Sequence, residues 1–485
     1  MRMFDMKRYA IVLILPLMFL ASCVKSLDDY NIDKKKPSQV PPSGLFTGAI
    51  LNLTDIITNP NVNVNSTRYF VQYWTTTTYL DEPRYNLTAR TIPLAQWQAI
   101  YRDVLTDLNE AKRLVQADQT LTEPERNNRT AQIEVMEVYA WSILVTSFGD
   151  IPYSEALKIE NSQPKYDDDA VIFPDLMRRL NEAIAMFNAG AEGFDEGPDV
   201  LYHGDIAQWI KFGNSLKLKL ALVIADVNSS AASAAVKEAA PNVFSSSEDN
   251  AIFPYEGATP NNNPMADEMN PALTSRKDFL PANTFVNALN ALNDPRRSKF
   301  FEDNIDGGYV GGNYGFTNTY DSYTHFNPET YRLDAPGPLM TYSEVEFYLA
   351  EAVERGFITG SAADHYNKGV TASIMEWGGT STEAQTYLAQ PSVAYATAPG
   401  NWQRKIGTQA WISFFNRGYE GWLEWRRLNY PVLSPPTGGN APAGLSIPVR
   451  LIYPPTESSL NANYGAAAQA IGGDLVTTKL FWDVN

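Results

Sequence analysis

Cysteine is nearly absent from this sequence, with one residue, Cys23, in 485. No disulfide can form within the chain, so its stability has to come from packing. Histidine is almost as scarce. His203, His325 and His365 lie far apart, and no HExxH or other paired spacing occurs, which argues against a His-based metal site. No Walker A motif and no G-x-S-x-G elbow are present. "GGYVGG" (307–312) has the glycines of a phosphate cradle but no strand before it and no helix after it. Positive charge is also short: 38 Lys and Arg stand against 55 Asp and Glu, a formal charge of −17. That balance argues against nucleic acid and against an anionic bilayer face as partners. No run after the N-terminus is apolar enough to span a membrane.

The N-terminus is different. Arg2, Lys7 and Arg8 precede Tyr9–Ala21, 13 residues without a charge. That run is short for a transmembrane helix, which needs about 20 apolar residues, and it fits the h-region of a signal peptide. Leu20-Ala21-Ser22-Cys23 then resembles the lipobox of bacterial lipoproteins. The resemblance implies cleavage before Cys23 and a diacylglycerol, with fatty acids such as palmitate, on its thiol. Residues 1–22 are therefore expected to be a lipoprotein signal peptide. Residues 23–43, polar and with three prolines, read as a lipidated flexible tether, and 44–485 as one domain. Loss of Arg2, Asp5, Lys7 and Arg8 takes +2 from the total of −17 and leaves −19.

Helical periodicity dominates the rest, and the chain reads as mainly α. In 94–115, Trp97, Ile100, Tyr101, Val104, Leu105, Leu108 and Ala111 fall on one face. Further helical stretches are 132–150, stopping at Gly149, 171–190, 204–227, 341–357, 361–378, 402–430 and 456–473. Thr341 and Ser361 are expected N-caps. The stretch 341–378 has the small-residue spacing of a tetratricopeptide-like helix pair. Between helices lie loops rich in Gly, Asn and Tyr at 68–88, 255–272 and 306–328; loops of that length in a compact domain are usually functional or disordered, and their aromatics argue against disorder. "YDDDA" (166–170) lacks the alternation of an EF-hand loop and reads as an acidic helix start. A glycosidase needs only two carboxylates about 5 to 10 Å apart, but no spacing singles out a pair, so the chain is expected not to be an enzyme.

These pieces together resemble the SusD/RagB-like nutrient-binding lipoproteins of the bacterial outer membrane, in their second SusD-like subgroup. The resemblance rests on the lipobox, "FVQYWTTTTYLDEPRYN" (70–86), "FGDIPYSEAL" (148–157) and "YDDDAVIFPDLMRRLNEA" (166–183). It continues through "GDIAQWIKFGNSLKLKLAL" (204–222), "FVNALNALNDPRRSKFF" (285–301), "TYSEVEFYLAEAVERG" (341–356), "QAWISFFNRGYEGWLEWRRLNYP" (409–431) and the C-terminal 453–483. It implies tetratricopeptide-like helix pairs with long ligand-binding loops. It further implies a surface-facing outer-membrane protein that captures an oligosaccharide or oligopeptide. The implied partner is a TonB-dependent SusC-like β-barrel transporter that imports the ligand.

Most motif residues read as scaffold. The lysines of "NSLKLKLAL" are expected to face outward, and Trp411, Trp422 and Trp425 to be core. Ligand candidates are the loop residues Trp74, Tyr79, Tyr85, Tyr309, Asn313, Tyr314, Tyr320 and Tyr323, with Asn318 and Asn261–Asn263 behind them. Rings stack on sugar or peptide faces while amides and hydroxyls give direction. No cofactor is expected, and a structural cation such as calcium is left open. A protein-binding adaptor and a glycan hydrolase are the rival readings. Cys23→Ala is expected to preserve the fold and release the protein from the membrane fraction on detergent partitioning. A Cys23→Ala chain that stays membrane-held contradicts the lipid assignment.

Overall fold

A computed structural model describes residues 40–90, 92–302 and 308–485. The signal peptide, Cys23 and the tether before Val40 lie outside the described residues. The fold is helical with a few short strands, as the periodicity predicts.

The first helix, α1 (Pro42–Thr58), buries Phe46, Ala49, Ile50, Leu53 and Ile57 along one face. It packs against α2 (Thr106–Ala117) and the π-helical turn Ala99–Leu105 before it. Helix α3 (Glu123–Phe148) starts in a Thr122/Glu125 capping box and ends at Gly149, whose φ of +85° suits glycine alone. From Thr130 onward nearly every α3 residue is buried, so it forms the centre of the domain. Helices α4 (Asp169–Met186), α5 (Ile206–Val223) and α6 (Ser229–Ala239) follow in pairwise contact. In the second half, α7 (Tyr342–Glu354) pairs with α8 (Ala362–Glu376), then come α9 (Trp402–Ser413) and α10 (Gly418–Leu428). Thr341 and Ser361 cap α7 and α8 by accepting from the Glu344 and Asp364 amides.

The strands form three antiparallel pairs: β1 (Trp74–Thr76) with β5 (Phe279–Pro281), β2 (Ile151–Pro152) with β3 (Tyr166–Asp167), and β4 (Ala251–Phe253) with β6 (Gly337–Met340). The first pair ties the loop at 68–88 to the segment leading into 283–291. A bridge between Ala282 and Gly312 adds the loop segment 308–328. The long loops thus fold onto one another, and their aromatics Trp74, Tyr85, Tyr314 and Phe326 join the buried core of the helices.

Three helical expectations change. The stretch 402–430 is two helices, because Asn416 adopts φ +67° and breaks the backbone run between α9 and α10. The stretch 171–190 stops at Met186, where Phe187 turns extended. The stretch 456–473 contains only Glu457–Leu460 and Tyr464–Ala470 as helix. Trp411 and Trp422 are core, whereas Trp425 is half-buried. The α5 lysines do not face outward. Lys217 is buried and reaches Glu238 at 2.6 Å, and Lys219 points into the domain.

Lys219 enters a buried ion network. Its ammonium lies 3.1 Å from Glu344 and 3.3 Å from Glu420, and the Arg417 guanidinium lies 2.6 Å from Glu344. Tyr348 donates to Glu344 at 2.8 Å, and Tyr139 donates to Glu420 at 3.2 Å. Burial alone would raise the Glu344 carboxyl, but Arg417 and Lys219 overcome it and hold it down at about 2. Charges taken out of water are costly unless each keeps its partners. Glu344→Gln is therefore expected to cost about 3–5 kcal/mol at pH 7 in urea unfolding. A folded pKa below the ordinary 4.5 gives stability that is present above pH 4.5 and lost as pH falls through about 2. The gap between variant and wild type should narrow across that window, and a gap independent of pH contradicts the assignment.

Candidate functional site

The break between α9 and α10 opens onto a cavity of about 700 Å³, within the roughly 300–1,000 Å³ range of small-molecule sites. Its wall combines aromatic rings with amides and a few charges, and each is placed by the fold. Trp377 is the C-cap of α8. Its ring lies edge-on to Phe300 at 4.8 Å and 5.5 Å from Phe415. Phe415 in turn stacks on Phe285, and this ring cluster braces the half-exposed Trp377 from behind.

Asn416 lines the cavity through its left-handed backbone, and its Oδ1 accepts from Trp74 Nε1 at 3.1 Å. Asn263 caps the short helix Pro264–Met269 through Oδ1 and donates from Nδ2 to the Ala335 carbonyl at 2.9 Å. It therefore shapes the wall with both ends of its amide engaged. Asn250 accepts from the Tyr342 amide at 2.6 Å and donates to Glu376 Oε1 at 3.3 Å.

Arg417 joins the cavity to the ion network below it. It donates to the Leu339 carbonyl and to Glu344, and its Nε is buried without a partner. Glu376 is exposed along the cavity wall. Burial raises its carboxyl to about 7, against the opposing pull of Asn250 and Arg417. Glu329 and Arg332 are exposed at the rim. The arrangement can stack an indole on a flat apolar face and hydrogen-bond polar substituents around it.

None of the eight loop candidates lines this cavity. Trp74 is 0 % exposed, packed against Phe279 and Phe326. Its ring has no free face, so the stacking role is replaced by a positioning one through Asn416. Tyr85 and Tyr314 are also buried. Their hydroxyls meet at 3.2 Å, and Tyr314 donates to the Tyr69 carbonyl at 2.6 Å, so both hold loops together. Tyr79, Tyr309, Tyr320 and Tyr323 keep part of their surface. Arg90 and Arg297 sit over the rings of Tyr79 and Tyr309. Tyr320 stacks on His325 at 4.1 Å, and Asn313 donates to the Tyr323 hydroxyl at 3.2 Å. Asn313 and Tyr314 line a separate depression of about 330 Å³ with Gln72 and Thr284. Asn318 is buried and serves backbone carbonyls. Of the Asn261–Asn263 run, Asn263 reaches the large cavity.

Trp377, Phe415, Asn416, Arg417 and Glu376 escape the reading of loops because they sit at helix ends. The signals were the Gly378-Gly379 pair after Trp377 and the Asn-Arg-Gly run at 416–418. Since Glu376 keeps a proton in the folded state that the unfolded chain releases, its contribution to stability falls as pH rises from 4.5 through about 7. Glu376→Gln should gain in melting temperature relative to wild type between pH 5 and pH 8. An unchanged difference across that range contradicts the raised pKa.

The comparisons with known proteins agree with this architecture. The SusD-like family model described as "Starch-binding associating with outer membrane" matches residues 34–454. A chitin-binding protein of known structure is 27 % identical, with a TM-score of 0.78 over 92 % of this chain and 100 % of its own. A SusD-like protein described as Bacteroidetes AC2a is 25 % identical with a TM-score of 0.79, covering 92 % of this chain and 100 % of that one. A SusD homologue from Bacteroides uniformis is 25 % identical with a TM-score of 0.74, covering 91 % and 99 %. A search of curated proteins by sequence finds no match. The helical fold and a family match across most of the chain lead to one conclusion: the chain belongs to the SusD-like family of outer-membrane-associated, starch-binding-type proteins.

Proposed function

We propose that this protein is a surface-facing, lipid-anchored glycan-binding protein that holds an oligosaccharide in the 700 Å³ cavity and passes it to a TonB-dependent SusC-like barrel. The observation that carries the reading is the half-exposed Trp377 indole on a wall shared with Asn250, Asn263, Asn416, Glu376 and Arg417. Sugars present an apolar ring face and directional polar groups, which such a wall matches. A relative at 27 % identity is described as chitin-binding, which favours N-acetylated sugars as the first ligands to try. The protein acts by binding and not by turnover. A lipid on Cys23 and the polar tether after it anchor the domain beside its transporter, free to swing as a lid.

Calorimetric titration of the detergent-extracted chain with chitin, starch and peptide oligomers tests this. Binding of an oligosaccharide is expected, and Trp377→Ala should weaken it by about tenfold or more, equivalent to ~1.4 kcal/mol. A large β-barrel should co-purify from the native membrane. Failure to bind any glycan, or turnover of one, overturns the reading.

A further inference from the structure

We infer that Asp150, Asp168 and Asp169 form a binding site for a hard divalent cation, calcium by preference, remote from the glycan cavity and independent of it. Asp150 follows the left-handed Gly149 that ends α3. Asp168 and Asp169 open α4. Antiparallel pairing of β2 with β3 sets Ile151 opposite Asp167, and that register carries Asp150 to Asp168 across the ladder. Each of the three carboxylates offers an oxygen within 4.8 Å of the other two. The sequence separates these residues by 18 positions, so "YDDDA" by itself shows only an acidic helix start.

Helix capping accounts for part of the cluster. Asp168 Oδ1 accepts from the Ala170 amide at 2.8 Å, and Asp150 Oδ1 accepts from the Asp169 amide at 3.1 Å. It does not account for Asp169. That side chain is 4 % exposed, and its Oδ2 is buried with no hydrogen-bond partner. A buried, unsatisfied carboxylate oxygen among two further carboxylates is costly unless a cation or a proton meets it.

Among the described residues, no Lys or Arg forms an ion pair with any of the three. The neighbouring Arg450 donates from Nε to the Phe148 carbonyl at 3.2 Å and from Nη1 to Asp474 at 3.0 Å, its Nη2 is buried without a partner, and it makes no hydrogen bond to the three carboxylates. The donor set is all carboxylate oxygen, with no nitrogen or sulfur, which suits calcium or magnesium and not zinc. Calcium tolerates an irregular set completed by water, whereas magnesium demands a near-ideal octahedron. Exposed Asp168 gives the ion its way in. A bound ion would tie the end of α3 to the start of α4 and, through Tyr453, which donates to the Asp150 carbonyl at 2.7 Å, to the C-terminal segment.

The test uses the detergent-extracted full chain stripped with EDTA and titrated with CaCl2. The melting temperature should rise, with half-saturation at roughly 0.1–1 mM, as in extracellular calcium modules. Terbium should give luminescence sensitised by the nearby Tyr453, and calcium should quench it by displacement. Asp168→Asn keeps the helix cap, since Asn caps as well as Asp, and should raise the half-saturation concentration about tenfold or more. Glu160→Gln, on an exposed acid elsewhere, should change neither signal. No calcium-dependent shift in the wild type, or an Asp168→Asn response equal to wild type, overturns the proposal.

Discussion

The buried contact between Arg417 and Glu344, at 2.6 Å, is the constraint on which the rest of the structure depends. It joins the start of α10 to the first turn of α7, and Lys219 on α5 joins it from the third side. Three helices distant in sequence, with Arg417 73 residues from Glu344, are thereby held at one point. The desolvation of these groups is severe, and only a complete set of partners offsets it. The network therefore specifies one arrangement of the helices, because any shift strands a charge. Gly418, next to Arg417, lets α10 pack closely on the turn at Thr67 and Arg68. A Cβ there would lie 2.7 Å from the Arg68 amide nitrogen.

That arrangement creates the cavity. Beside Arg417, Asn416 turns left-handed, and the helix that periodicity predicts across 402–430 breaks at the cavity wall. Trp74 closes the construction from the other side by donating to Asn416. The aromatic cluster of Phe285, Phe300 and Phe415 then supports Trp377. The same residues that stabilise the domain thus set the geometry available to a ligand.

The helical class, the α7/α8 pair, the Thr341 and Ser361 caps and the stop at Gly149 were legible from spacing and local chemistry. These features depend on neighbours within a turn or two. The site was less legible because it depends on long-range contacts. Trp74 and Tyr314 stand in loops by sequence, yet strand pairing and the Ala282–Gly312 bridge bury them. Lys219 looks like a solvent-facing lysine until two distant glutamates are placed beside it. Asp150 and Asp168 likewise meet only through the register of a two-residue ladder.

The central claim is that ligand binds at Trp377 between the helix ends and not on the tyrosine-rich loops. A crystal structure of the protein soaked with an N-acetylated chito-oligosaccharide tests it most directly. The account predicts sugar density stacked on Trp377, within hydrogen-bond reach of Asn416 or Glu376. Density confined to the surface around Tyr320 and Tyr323, with the cavity empty, would contradict it.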